Sequence, residues 1–304
     1  MPRGVWFWAV LGMFSGSLVA IVTPMHADGG LDFQAWSRLI DMHLEQGTSG
    51  IVVAGTTGES ATLTDAELKE LTQRACDQAR GRIQIIAGAG SSSTAATVER
   101  VSWVSQLPVD GVLIVTPAYN RPTQEGLFRH YEAAAAASRV PVIAYNVPSR
   151  TAVDMLAATV GRIAQLPRVS AVKEAVPSVA RVRELLSLVP SSFVVLSGDD
   201  ASARETVLAG ARGVVSVTAN VAPRAMADMI AAALRGDAAG AMQLDAALAS
   251  LHENLFLETN PIPAKWALAR MGLMGPGVRL PLTELAARFQ PDLERTLRQA
   301  GVLR

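Results

Sequence analysis

Eight short apolar runs recur along the chain, and they constrain its fold more than any other feature. They are SLVAIV (17–22), GIVVAG (50–55), IQIIAG (83–88), GVLIVT (111–116), PVIAYN (141–146), VSAVKE (169–174), FVVLSG (193–198) and GVVSVT (213–218). Each is continuous rather than alternating, as expected of strands covered on both faces. Helical patterns lie between them. Phe33, Trp36, Leu39, Ile40, His43 and Leu44 recur at helical spacing, and Gly47 can close that helix. Thr64-Asp65-Ala66-Glu67 reads as a capping box ahead of Leu68 and Leu71, with Gly81 at the stop. Residues 124–139, 154–165, 178–189, 200–209 and 223–235 supply further helices. Eight strand–helix units in sequence predict an α/β fold, a (β/α)8 TIM barrel. A doubly wound open sheet is the alternative, weakened because no Gly-x-Gly-x-x-Gly or Walker motif follows the first strand. The barrel is expected over 13–236. A C-terminal helical appendage follows over 237–304, its first helix broken from the next by Pro261 and Pro263.

The N-terminus allows two other readings. Residues 4–25 carry no charge and pass the length rule for a membrane span, and Arg3 ahead of VWFWAVLG resembles a signal peptide. Ser15, Gly16, Ser17 and Pro24 interrupt the run, and its second half is needed as the first strand. Residues 1–12 therefore read as an N-terminal extension, with Met13 an alternative start. A formal net charge of zero gives no support for a nucleic-acid partner. The single cysteine, Cys76, excludes a disulfide framework, fits a cytoplasmic protein and reads as a small core residue.

A barrel of this kind keeps its chemistry at the C-terminal ends of the strands. Lys173 lies near the end of the sixth apolar run, within VSAVKEAV (169–176). Its ordinary readings are a strand-end lysine that reaches solvent, or one paired to Glu174. The sharper reading is a desolvated amine that attacks a carbonyl to form a Schiff base, and the barrel context favours it. Glu174 points to the opposite face. GTTGES (55–60) is either a plain turn or a cradle for a carboxylate; having no lysine, it is not a Walker loop. YNVPSR (145–150) places Tyr145, a candidate proton shuttle, at a strand end, and Arg150, a candidate carboxylate ligand, five residues on. A core tyrosine and a surface arginine are the alternatives. Thr116 and Tyr119 follow strand four, Gly198 ends strand seven and Val215 lies in strand eight. His26, His43, His130 and His252 show no ligand spacing, so no metal site is proposed. Asp199 and Asp200 read as helix caps.

GTTGES, TPAYNRPTQEG, YNVPSRT, VKEA, LSGDD, GVVSVTANVAPR and NPIPAKWA together resemble the dihydrodipicolinate synthase family, from Met13 to the C-terminus. The resemblance implies a carbon–carbon-bond-forming lyase of lysine biosynthesis that joins pyruvate to L-aspartate 4-semialdehyde with no cofactor or metal. It makes Lys173 the Schiff-base lysine and Tyr145 the proton-transferring tyrosine. Thr56 and Tyr119 become relay partners, with Tyr119 reaching a neighbouring subunit's site. Thr57 and Val215 match pyruvate-holding positions, Arg150 the receiver of the semialdehyde carboxylate, and Gly198 belongs to the substrate-binding set. The family pattern also implies a homotetramer built as a dimer of dimers. Ser60 and Ala61 match the family's lysine-regulatory site. Asp65 and Leu68 stand there for histidines, Ser92 for asparagine, Ala96 for glutamate and Ala118 for tyrosine, so weak or absent lysine feedback is expected. Lyases acting on N-acetylneuraminate or 2-keto-3-deoxy sugar acids are the nearest rival enzymes, and a non-catalytic regulator on the same barrel is a further rival.

Overall fold

The structure, a computed structural model, describes residues 14–303. Eight parallel strands close into a barrel in sequence order: β1 (Gly16–Ala20), β2 (Gly50–Val53), β3 (Gln84–Gly88), β4 (Gly111–Val115), β5 (Val142–Asn146), β6 (Val169–Glu174), β7 (Val194–Ser197) and β8 (Gly213–Ser216). The helices are α1 (Phe33–Glu45), α2 (Asp65–Ala79), α3 (Thr94–Val104), α4 (Gln124–Ala137), α5 (Pro148–Thr151), α6 (Ala157–Ile163), α7 (Val179–Leu188), α8 (Ala203–Leu208), α9 (Pro223–Leu234), α10 (Ala238–Asn254), α11 (Ile262–Arg270) and α12 (Gln290–Gln299).

Alternate residues of each strand serve two separate cores. Leu18, Val52, Ile86, Leu113, Ile143, Ala171, Leu196 and Val215 point inward and fill the barrel. Val19, Ile51, Val53, Ile85, Val112, Ala144, Val172 and Val195 point outward against the helices. The apolar runs are continuous because a strand in this position has no wet face. Phe14 plugs the N-terminal end of the barrel; a Cβ on Gly111 would come within 2.7 Å of its ring. The barrel closes where Gly16 pairs with Gly213. A Cβ on Gly213 would fall 2.1 Å from the Gly16 carbonyl oxygen, so this seam requires glycine.

The start signal predicted for α2 forms, and α1 has a side-chain cap that its apolar spacing did not announce. Asp32 accepts from the backbone N–H groups of Gln34 and Ala35, and Thr64 with Glu67 forms the reciprocal capping box. Three elements differ from expectation. The helix expected over 154–165 begins only at Ala157, because Asp154 is held in a tertiary cluster by Asn146 and Arg181. Pro148–Thr151 forms a separate turn of helix ahead of it. α3, capped by Ser93, was not among the expected helices. Its buried residues are only Thr97, Val101 and Val104, a faint amphipathic signal.

The C-terminal helices pack onto the barrel's outer layer through Leu248, Leu251, Leu293 and Leu297, which share one core with α9's Met226, Met229 and Ile230. Among the described residues no helix is long and apolar enough to cross a membrane. The second half of the uncharged N-terminal run is β1 and its exit, while residues 1–13 lie outside the described residues.

Candidate active site

Lys173 projects into the barrel. On β6, Ala171 faces the inner core, Val172 the outer one, and Lys173 follows the inward register. It is 5% exposed. Tyr145 stands beside it in register on β5, and the Lys173 Nζ lies 4.2 Å from the centre of the tyrosine ring. Leu196 flanks it on β7, and Gly198 follows at the strand end. A Cβ on Gly198 would stand 2.9 Å from the lysine Cε, so the glycine makes room for the side chain.

The pairing of Lys173 with Glu174 does not occur. Glu174 faces outward, accepts from the Val176 N–H at 2.9 Å and from Asn146 Nδ2 at 3.0 Å, and meets Arg181 Nε at 3.2 Å. Burial pushes its carboxyl pKa up, against the opposing pull of these donors. Arg181 also reaches Asp154 and the Met155 carbonyl. The cluster ties β5, β6 and α7 together directly behind the lysine.

Thr56 and Thr57 lie on the turn after β2. Ala54 (φ 50°) and Glu59 (φ 57°) both adopt the left-handed conformation there, which is costly for residues with a Cβ. The turn is held from outside. Thr23 Oγ1 donates to the Gly58 carbonyl at 2.7 Å, and Lys265 forms a buried ion pair with Glu59. Burial lowers the Lys265 pKa and the facing carboxylate opposes that shift. Thr57 is buried, and its hydroxyl accepts from Asn260 Nδ2 at 2.9 Å. A cavity of about 30 Å³ runs from Thr56 and Tyr145 to Ser60, Asp65, Leu68 and Arg100, room for a water or two.

Val215 is buried in the inner core, one strand from Leu18. Arg150, on the turn of helix after β5, is exposed and donates to the Asn260 carbonyl at 3.2 Å. Lys173, Tyr145, Thr56, Thr57, Gly198 and Val215 thus gather at or just inside one rim, with Arg150 outside it. Tyr119 stands apart: it is 97% exposed with φ 72°. Three of the four histidines have structural partners. His43 bonds Thr48, His130 bonds Thr94 and His252 bonds Thr218. Asp199 accepts from the Ser202 N–H and hydroxyl just ahead of α8 but is not its cap; that position is Ser202, which makes no side-chain capping bond. Asp200 does not cap a helix; its buried carboxylate accepts from the backbone N–H groups of Val217 and Thr218 and pins the exit of β8.

Asn260, Lys265 and Glu59 were not singled out by the sequence as site residues. The only signals were the motif NPIPAKWA, far along the chain, for Asn260 and Lys265, and GTTGES for Glu59. The model of the Dihydrodipicolinate synthetase family matches residues 13–300. The chain belongs to this family. The 4-hydroxy-tetrahydrodipicolinate synthase of Ectopseudomonas mendocina is 52% identical over 291 residues, covering 96% of this chain and 100% of that protein. The crystal structure of the chloride-inhibited dihydrodipicolinate synthase from Acinetobacter baumannii, complexed with pyruvate, superposes with a TM-score of 0.94 at 46% identity, over 95% of this chain and 99% of that one. The family member from Cyanidioschyzon merolae, solved with lysine bound, superposes with a TM-score of 0.92 at 36% identity, over 96% and 100%.

Proposed function

We propose that this chain is a 4-hydroxy-tetrahydrodipicolinate synthase, condensing pyruvate with L-aspartate 4-semialdehyde on the diaminopimelate route to lysine in the cytoplasm. One observation carries the reading: Lys173 is an amine enclosed at the active rim of the barrel, beside Tyr145 and facing the space that Gly198 leaves open.

The Lys173 amine attacks the pyruvate ketone and water leaves, giving an iminium. The iminium draws electrons from the methyl C–H bond. Its proton departs and an enamine forms. The enamine carbon attacks the aldehyde of the second substrate, whose oxygen takes a proton. The substrate's own amine then adds to the iminium carbon and displaces Lys173 as the ring closes. Tyr145 moves the protons, with Thr56 and Tyr119 as relay. Thr57 and Val215 hold pyruvate, and Gly198 keeps its space clear. Arg150 receives the semialdehyde carboxylate at the mouth. No metal or cofactor takes part in this scheme.

The fully exposed Tyr119, an aromatic ring on left-handed backbone, supports a partner subunit that receives it, and we assign a homotetramer built from two dimers. Weak or absent lysine feedback follows from the substituted regulatory positions and from Asp65. Its carboxylate is engaged by Arg100 at 2.8 Å, leaving it less free for a ligand ammonium.

Borohydride reduction in the presence of pyruvate tests the assignment. Wild type is expected to gain a reduced pyruvate adduct on the peptide carrying Lys173, and Lys173→Ala none; an adduct in that variant would refute the role of Lys173. Turnover assays with the semialdehyde, N-acetylneuraminate and 2-keto-3-deoxygluconate, with and without lysine, test the substrate. Fast turnover of a sugar acid instead would overturn the reading of Arg150. Strong inhibition by low lysine would overturn the regulatory reading.

A further inference from the structure

We infer that Asn260 is a positioning residue for pyruvate, aiming the Thr57 hydroxyl proton at the substrate carboxylate. The inference rests on the function proposed above and extends it to a residue 203 positions further along the chain.

A threonine hydroxyl has one hydrogen to give and lone pairs to accept with. Asn260 Nδ2 donates to Thr57 Oγ1 at 2.9 Å, so one lone pair is filled from the protein side. Both residues are buried, Thr57 at 2% and Asn260 at 5% exposure. With its acceptor side occupied, Thr57 keeps its hydrogen for the pyruvate carboxylate that the proposed function sets beside it. Turning the carboxamide over would put Oδ1 against Thr57. The hydroxyl would then spend its hydrogen on the protein and face the carboxylate with lone pairs.

The surroundings fit a placed group rather than a packing accident. Asn260 Oδ1 is buried with no hydrogen-bond partner among the described residues, so the carboxamide makes its side-chain bond within the chain to Thr57 alone. The turn bearing Thr57 is fixed from the same segment of chain by the ion pair of Lys265 with Glu59. The Asn260 carbonyl meanwhile accepts from Arg150. Side chain and main chain of one residue therefore serve different substrates, which gives the test an internal control.

Steady-state kinetics with both substrates decide it. Asn260→Ala is expected to raise the pyruvate KM about tenfold, the factor that one hydrogen bond of ordinary strength controls. It leaves kcat and the semialdehyde KM within about twofold, because the main-chain contact to Arg150 survives. Asn260→Asp keeps the shape but withdraws the Thr57 hydrogen and adds like charge, so its pyruvate KM rises further, by about a hundredfold. In a Thr57→Val background, Asn260→Ala is expected to change the pyruvate KM by less than about twofold. Equal effects on both substrates, a loss of kcat at constant pyruvate KM, or additivity with Thr57→Val would each overturn the inference. The isosteric Asn260→Asp carries the test if Asn260→Ala does not fold. Borohydride trapping on wild type separates the two levels. Failure to trap sinks the proposed function and this inference together, whereas trapping with unchanged variant KM sinks the inference alone.

Discussion

Gly198 and Lys173 share one space. The position a side chain would take on the glycine lies 2.9 Å from the lysine Cε and 3.1 Å from its Cγ. Gly198→Ala is therefore a probe of the lysine's placement rather than of the fold. The nearest atoms belong to a flexible side chain and to the Cβ of Ala175, so unfolding free energy is expected to change by less than about 1 kcal/mol. A lysine moved by about 1 Å loses about a hundredfold in rate. A variant with full turnover would show that this space is not where the amine works.

Tyr145 sits against Lys173 through its ring, at 4.2 Å. Tyr145→Phe keeps the ring and removes the hydroxyl. The expected result is a fall in kcat of about 10²–10⁴-fold, the range for losing a general acid–base group. The borohydride-trapped adduct should still form, more slowly. An undiminished kcat would assign the proton transfers elsewhere.

Acid should weaken the fold through its buried histidines. Burial lowers the His43 pKa from 6.5 to about 3 and the His130 pKa from 6.5 to about 4. Both rings stay neutral in the folded chain while the unfolded chain takes up protons near pH 6.5, so the unfolded state binds more protons and stability rises with pH. The contribution is fully present above pH 6.5 and is lost progressively as pH falls towards the folded values. At pH 5 the loss is about 2 kcal/mol for each histidine. Urea unfolding at pH 8 and pH 5 measures it, and His43→Leu should flatten the slope. Equal stability at the two pH values would contradict the burial argument.

Cys76 lies in the buried face of α2, and burial pushes its thiol up to about 12. At pH 8 its thiolate is about a thousandfold scarcer than that of a free thiol. Iodoacetamide should leave the folded protein unlabelled and label it stoichiometrically in urea. Rapid labelling without denaturant would show that this face of the helix opens.

Periodicity made the barrel legible. Strands buried on both faces leave continuous apolar runs, and a lysine at an inward position of such a run stands out. Tyr145, Thr56 and Gly198 were legible for the same reason, since each sits at a strand's C-terminal end. Asn260 and Lys265 were not, because their partners lie 203 and 206 residues away and local pattern carries no trace of such a contact. The late start of α6 was hidden similarly. Asp154 looks like an ordinary helix opener until Arg181 and Asn146 are seen to occupy it. Asp200 misled through position: an aspartate after a strand resembles a cap, but its partners belong to the next strand's exit.

The pairing of Gly16 with Gly213 imposes an order on synthesis. As the chain leaves the ribosome, β1 emerges first but one of its edges has no neighbour until β8 appears. Roughly 200 residues separate the two, about 10–40 s of translation. For that interval the growing sheet presents unpaired N–H and C=O groups to whatever else is in the cell. An enzyme of this architecture is thus at its most adhesive before it is finished, and its yield in vivo depends on what shields that edge while the stretch between β1 and β8 is made.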